Sequence, residues 1–280
     1  HGYHYNNCME AISAGKNVLC EKSFTLNAKQ AREIFDAARE KNVYVAEAMW
    51  LRHRLLFTEL QRLLHEKKVI GDVFRVFTDF ASGIDIASLP PTSRYRDLKL
   101  GAGSLLDIGV YSLTWARMAV GAGAPDQMEV PRIMAAQTHE EGVEVTTSAI
   151  LQYPSTGKQA IVTSTTKSLG GPGKVFAVIH GTHGHVEVEG MTPSAPESFT
   201  VWKKQEGNPE CALFPRDSHQ GEKYNFPKLG RGFIYEAEHT ALDILEGRKE
   251  SKIIPWAETV YMMEIMDEIR RQGKTYYPGE

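Results

Sequence analysis

The first fifty residues alternate helix, strand, helix, strand, and that alternation constrains the fold more than any other feature of the chain. Residues 5–14 place Cys8, Met9, Ala11 and Ile12 at helical spacing ahead of Gly15, a natural helix stop. Asn17-Val18-Leu19-Cys20-Glu21 reads as a short strand. Asn27 can cap the next helix with Gln30 as its capping-box partner, and Ala28, Ala31, Ile34, Phe35 and Ala38 share one face before Lys41. Val43-Tyr44-Val45-Ala46 is the second strand. Strands joined by a helix of this length pair in parallel through a right-handed crossover. A parallel sheet is covered on both faces and normally has more than two strands, so the chain is expected to open partway through an α/β domain.

The pattern changes after residue 50. A helix over 55–66, a strand over 73–77, a Pro90-Pro91 loop over 82–99 and a helix over 104–120 lead into β-rich stretches. These cover 132–138, 143–152, 159–165, 174–180, 185–189 and 199–203, with Gly181-Thr182-His183-Gly184 as a hairpin turn. The stretch 191–198, with Pro193, Pro196 and two serines, reads as a mobile surface loop. Helices over 231–246 and 256–271 close the chain. The fold class expected is therefore α/β plus α+β. Residues 1–48 form part of a parallel-sheet domain of Rossmann type, and residues 49–280 form an α+β domain with an open, largely antiparallel sheet.

Composition narrows the function. With 32 basic and 35 acidic residues the net charge is −3, which gives no electrostatic footprint for nucleic acid or an anionic membrane. No apolar run approaches the roughly 18 residues of a membrane span, and His1-Gly2-Tyr3-His4-Tyr5 lacks the basic and apolar regions of a signal peptide. Cys8, Cys20 and Cys211 are an odd set without Cys-x-x-Cys, which favours a reducing, cytoplasmic setting over a disulfide framework; Cys20 reads as a core residue. A dinucleotide-binding loop needs Gly-x-Gly-x-x-Gly between a strand and a helix. The glycine pairs Gly101/Gly103, Gly121/Gly123 and Gly171/Gly173 each lack the third glycine and that context.

Three residues stand where chemistry would be expected. Lys22 lies just past the carboxyl end of a predicted parallel strand, where open α/β sheets bind ligands. Asp107 and Tyr111 are four apart on a predicted helix and share a face. On spacing alone, a solvated lysine, an exposed carboxylate and a half-buried tyrosine are equally ordinary readings. His180, His183 and His185 alternate across a predicted hairpin that points 183 and 185 to one side; structural roles fit them better than a metal site. His1 and His4 form a His-x-x-His pair with no nearby carboxylate or thiolate, so no metal is expected there either.

Two longer segments go further. Ala14-Gly15-Lys16-Asn17-Val18-Leu19-Cys20-Glu21-Lys22 and Gly101-Ala102-Gly103-Ser104-Leu105-Leu106-Asp107-Ile108-Gly109-Val110-Tyr111 resemble, in that order, the two signatures of the glucose–fructose oxidoreductase/inositol dehydrogenase (Gfo/Idh/MocA) family. The resemblance continues through Glu47-Ala48-Met49-Trp50, Ser93-Arg94-Tyr95-Arg96, and Gly232-Phe233-Ile234-Tyr235-Glu236-Ala237. It is closest to the branch that oxidises D-xylose or trans-dihydrodiols with NADP.

The resemblance implies an NADP-dependent dehydrogenase, with NAD as the other candidate cofactor, acting on a sugar or diol CH–OH group. It implies Lys22, Asp107 and Tyr111 as catalytic residues, and Glu21, Lys22, His1 and His4 beside the cofactor. Trp50, Arg52, Arg94 and Arg96 would meet the substrate, and a homodimer would form through the open sheet. The glycine-rich loop of complete family members is expected ahead of His1. Ser23 stands where the family has proline after a cis peptide, so the peptide after Lys22 must either bear the cost of about 2.5–4 kcal/mol for cis or go trans. The rival reading is a sugar-binding or regulatory homologue without turnover.

Overall fold

β1 (Val18–Glu21) and β2 (Val45–Ala48) pair in parallel, with Val18 opposite Val45 and Glu21 opposite Ala48. α1 (His4–Ser13) precedes β1, and α2 (Ala28–Lys41) makes the crossover between the strands. Asn27 caps α2 by accepting from the Gln30 N–H at 2.9 Å, while the Gln30 side chain reaches back to the Leu26 N–H rather than to Asn27. Asn42, in the left-handed conformation, ends the helix. This computed structural model describes residues 1–121, 128–168, 175–203, 221–226, 230 and 232–278. Cys211, Gly123, Gly171 and Gly173 lie outside the described residues.

The second sheet follows α3 (Leu55–His65) and contains β3 (Val73–Ala81), β4 (Arg132–Glu140), β5 (Val143–Gln152) and β6 (Gln159–Thr165). It continues with β7 (Val175–Gly181), β8 (Gly184–Thr192), β9 (Ala195–Lys203) and β10 (Glu222–Asn225). The spatial order is β10-β9-β8-β7-β3-β6-β5-β4, antiparallel throughout except where β3 meets β6. α4 (Val110–Val120) covers the inner face, and every one of its residues is buried, Trp115 completely. α5 (Phe233–Leu245) and α6 (Trp256–Gly273) complete the chain.

α6 links the two sheets. It packs along β4, and its Asp267 carboxylate accepts the Ala28 N–H at the start of α2 at 2.8 Å. Arg270 bonds the Leu26 carbonyl, and the Trp256 indole N–H bonds the Val45 carbonyl at 2.7 Å. One apolar core runs through both layers, from Ile12, Phe24 and Ile34 to Ile179, Val186 and Phe199. Cys20 belongs to it.

Several sequence expectations are corrected here. The helix expected over 104–120 begins as a π-turn, Leu105–Gly109, before α4 takes over. The loop expected over 191–198 is the tip of a hairpin: β8 and β9 continue to the pairs Gly190–Pro196 and Thr192–Ala195 through register irregularities that accommodate Pro196. His180, not His183, faces His185 across the β7–β8 hairpin, with ring centroids 6.1 Å apart. β10 has no counterpart among the expected strands.

Candidate active site

Lys22 directly follows β1, and its ammonium spans to the π-turn. Nζ donates to the Asp107 main-chain carbonyl at 2.6 Å and meets Asp107 Oδ1 at 3.3 Å. The neighbouring Ser23 hydroxyl, fully buried, donates to the Leu106 carbonyl at 2.8 Å. Two consecutive carbonyls of the π-turn thus accept two consecutive residues from the strand's end. A wide helical turn makes this possible, and such turns recur at functional sites. The Lys22–Ser23 peptide is cis. His4 holds the same segment from the other side, its Nδ1 within 2.9 Å of the Ser23 carbonyl and 3.2 Å of the Phe24 carbonyl. Both partners are acceptors, so Nδ1 carries the proton. Burial lowers the His4 pKa and keeps the ring neutral.

The π-turn is seated by a buried carboxylate. Glu144, on β5, accepts the Leu105 N–H at 2.8 Å, the Ser104 hydroxyl at 2.6 Å and the Thr147 hydroxyl at 2.9 Å. Burial pushes its pKa up and these donors pull it back. Gly103, at φ 148°, approaches so closely that a Cβ there would lie 3.0 Å from Glu144 Oε2. Gly109 is equally constrained, since a Cβ would lie 2.8 Å from the Ser164 hydroxyl.

Tyr111, 5% exposed, stands one turn beyond Asp107. Its hydroxyl accepts the Trp50 indole N–H at 2.7 Å, and Lys22 Nζ lies 5.1 Å from its ring centroid. Burial raises the phenol's pKa well above its ordinary value. Glu21, Asp107 and Glu236 add to the effect, and the Trp50 hydrogen bond opposes it. Arg94 reaches Asp107 Oδ1 at 3.1 Å. Trp50 also packs on Phe233 of α5, centroids 4.8 Å apart. Lys22, Asp107, Tyr111, Trp50 and Arg94 therefore share one cluster at the carboxyl end of the parallel strands.

The other expected residues are placed differently. Arg52 is turned away from the cluster into an ion pair with Glu258 and a hydrogen bond to the Ile253 carbonyl. Arg96 staples its own loop through the Ala87 and Leu89 carbonyls and pairs with Glu141. Both guanidiniums take partners within the protein. His1 lies beside the loop after the 3₁₀ turn Leu98–Leu100, its ring 3.3 Å from the Gly101 carbonyl. Glu21 is exposed at the end of β1. Among the described residues no three His, Cys, Asp or Glu side chains could hold a metal ion.

Sequence reasoning assigned no role to two residues that shape this site, Glu144 and Glu236, and read Ser23 only as the replacement of the family's proline. Glu236, on the first turn of α5, is 5% exposed, and its Oε2 has no hydrogen-bond partner among the described residues. Burial, and then the charge of Glu21, push its pKa up to about 7. Glu236 fell inside a recognised motif, which was the available signal. Glu144 carried none, because Val143, Glu144 and Val145 are all buried and break strand alternation.

Residues 1–49 match the oxidoreductase family with an NAD-binding Rossmann fold, and residues 57–187 match the GFO/IDH/MocA C-terminal domain. The chain is 31% identical over 288 residues to D-xylose 1-dehydrogenase (NADP(+)) of Hypocrea jecorina, covering 99% of this chain and 72% of that protein. It is 34% identical over 278 residues to trans-1,2-dihydrobenzene-1,2-diol dehydrogenase of Xenopus tropicalis, covering 99% and 77%. The chain belongs to the Gfo/Idh/MocA family. The fold agrees with this assignment. The aldose-aldose oxidoreductase of Caulobacter crescentus superposes with a TM-score of 0.78 at 22% identity, over 98% of this chain and 74% of that one. As a Gfo/Idh/MocA member the protein is an NAD(P)-binding oxidoreductase. No helix of the described residues is long and apolar enough to cross a membrane.

Proposed function

We propose that this protein oxidises a CH–OH carbon of a sugar or diol with NADP, as a dehydrogenase of the D-xylose 1-dehydrogenase or trans-dihydrodiol dehydrogenase type, with NAD as the alternative nucleotide. The observation that carries this reading is the convergence of Lys22, Asp107 and Tyr111 where β1 ends. The donor set fits the reacting end of a nicotinamide nucleotide, since an ammonium and a phenol lie together beside the carboxyl end of parallel strands. Lys22, Glu21, His1 and His4 border it. The nucleotide, when bound, supplies the hydride acceptor.

The chain's own residues manage the proton. Tyr111, as the tyrosinate, accepts the substrate hydroxyl's proton at Oη as the carbon gives up its hydride, and the protonated phenol returns that proton in the reductive direction. The Trp50 N–H and the Lys22 ammonium stabilise negative charge at Oη; burial opposes it, so oxidation is expected to quicken as pH rises. Asp107 positions Lys22 through its carbonyl and Arg94 through its carboxylate. Trp50 and Arg94, which join the Lys22, Asp107 and Tyr111 cluster, would meet the substrate.

In this reading residues 1–48 serve the nucleotide and residues 49–280 serve substrate and dimerisation. A homodimer would use the outer sheet face, where the cross-strand row Phe77, Ile161, Ile150 and Met134 presents apolar side chains, exposed except for the half-buried Ile161. Free Cys8 and Cys20 suit a cytoplasmic location. The test is nucleotide reduction by the full chain with D-xylose and with trans-1,2-dihydrobenzene-1,2-diol. NADP reduction with either supports the reading. No turnover with either substrate and either nucleotide would contradict it.

A further inference from the structure

A buried carboxylate without a partner is costly. Removing a carboxylate from water carries a penalty of several kcal/mol unless hydrogen bonds or a counter-ion offset it. Glu144 shows the ordinary solution in this protein, with three donors converging on its two oxygens. Glu236 is also buried, at 5% exposed, yet its Oε2 has no donor among the described residues.

The location of Glu236 suggests what the missing donor is. Gly232 and Phe233 bring the start of α5 against Trp50, with the Phe233 and Trp50 rings 4.8 Å apart. Trp50 in turn holds the Tyr111 hydroxyl at 2.7 Å. Glu236 lies one turn along α5 from Gly232, close enough that its charge contributes to raising the Tyr111 pKa. The wall of the Tyr111 site therefore combines an aromatic surface from Trp50 and Phe233 with one unsatisfied acceptor.

We propose that Glu236 is a specificity-determining residue of this site, whose Oε2 accepts a hydrogen bond from a substrate hydroxyl other than the one being oxidised. The inference rests on the reading of Tyr111 as the proton-handling group. It deepens that reading by naming the side chain that selects for a second substrate hydroxyl. A polyol hydroxyl is a neutral donor, and its bond to a desolvated carboxylate is charge-assisted and strong. A substrate without that hydroxyl would leave Oε2 unpartnered, so the site would discriminate against it.

The experiment compares the parent, Glu236→Leu and Glu236→Gln on D-xylose and its 2-deoxy and 3-deoxy analogues, with melting temperatures measured with and without D-xylose. Glu236→Leu is expected to raise KM for D-xylose about ten- to hundredfold with kcat within a few-fold, the range for a hydrogen bond to a charged group. On the deoxy analogue that lacks the recognised hydroxyl it should change KM little. Without ligand, both variants should melt no lower than the parent at pH 8, because a desolvated charge has gone, and the D-xylose-induced rise in Tm should shrink. Should Glu236→Leu fail to fold, Glu236→Gln carries the comparison with a smaller expected rise in KM, since its amide oxygen still accepts the hydroxyl but without the charge. A lower ligand-free Tm with unchanged KM would show a structural carboxylate and overturn the inference. So would equal KM changes for D-xylose and both deoxy analogues. Failure of the underlying reading is separable, since near-parental turnover by Tyr111→Phe would contradict it whatever Glu236 does.

Discussion

Replacing Glu47 by glutamine should stabilise the protein at alkaline pH and leave it unchanged at acid pH. Glu47 sits on β2 with its side chain buried. Thr259 donates to its Oε2 at 3.0 Å, Glu258 faces it from α6, and Arg52 lies nearby but is committed to Glu258. Burial is the main cause that lifts its pKa from 4.5 to about 7; the charge of Glu258 adds to this, while Thr259, the Phe24 N–H and Arg52 pull it down. The folded state therefore binds this proton more tightly than the unfolded chain does. The stability that this provides is fully present below about pH 4.5 and is lost as pH rises through about 7. At about 1.4 kcal/mol per pKa unit the loss comes to about 3 kcal/mol. Glutamine imitates the protonated acid, so Glu47→Gln should match the parent near pH 4 and exceed it by about 3 kcal/mol at pH 8.5, or about 6 °C in Tm for a chain of this size. Differential scanning calorimetry of both proteins from pH 4 to 9 is the assay. Glu236 titrates in the same direction in both, so it cancels in the difference. A Tm difference that does not grow with pH, or a variant less stable than the parent at pH 8.5, would refute the reasoning.

Ser23→Ala removes the hydroxyl that bonds the Leu106 carbonyl and leaves that acceptor buried; denaturant titration should show a loss of about 1–3 kcal/mol. A variant as stable as the parent would mean that the bond adds nothing. Glu144→Gln sets an amide NH₂ against the Ser104 hydroxyl or the Leu105 N–H. The amides of residues 105–107 should then exchange with deuterium at least tenfold faster, and unchanged exchange would show that Glu144 does not seat the π-turn.

How much of this was legible in the sequence depended on how far apart the interacting residues lie. The parallel pairing of β1 and β2 and the placing of Lys22 at a strand end followed from local periodicity and the Asn27 cap. Tyr111 and Asp107 were recognised by motif. The π-turn beneath them was not, because one wider turn leaves no residue signature and its support, Glu144, lies 39 residues beyond Leu105. Arg52 and Arg96 were expected to face substrate by resemblance, and their carboxylate partners could not be read from the neighbouring residues. Glu258 is 206 residues beyond Arg52, and Glu141 is 45 beyond Arg96. Pro193 and Pro196 suggested a loop, whereas strand pairing carried through the irregularities around Gly190 and left only a two-residue turn. Proline and serine content marks where a chain turns but not how briefly.

The central claim is that Tyr111 Oη handles the substrate proton with Lys22 beside it. Tyr111→Phe removes one hydroxyl from a buried ring, so the fold should survive, with Trp50 losing one partner. Lys22→Met keeps length and removes charge. Single-turnover and steady-state rates of the two variants and their combination, beside the parent on the same substrate, measure the claim directly. Each single change should lower kcat by about 10²–10⁴-fold, the usual contribution of a positioned acid–base group. The combined variant should lose far less than the product, because the two groups act as one unit. Near-parental kcat in a folded Tyr111→Phe protein would contradict the mechanism.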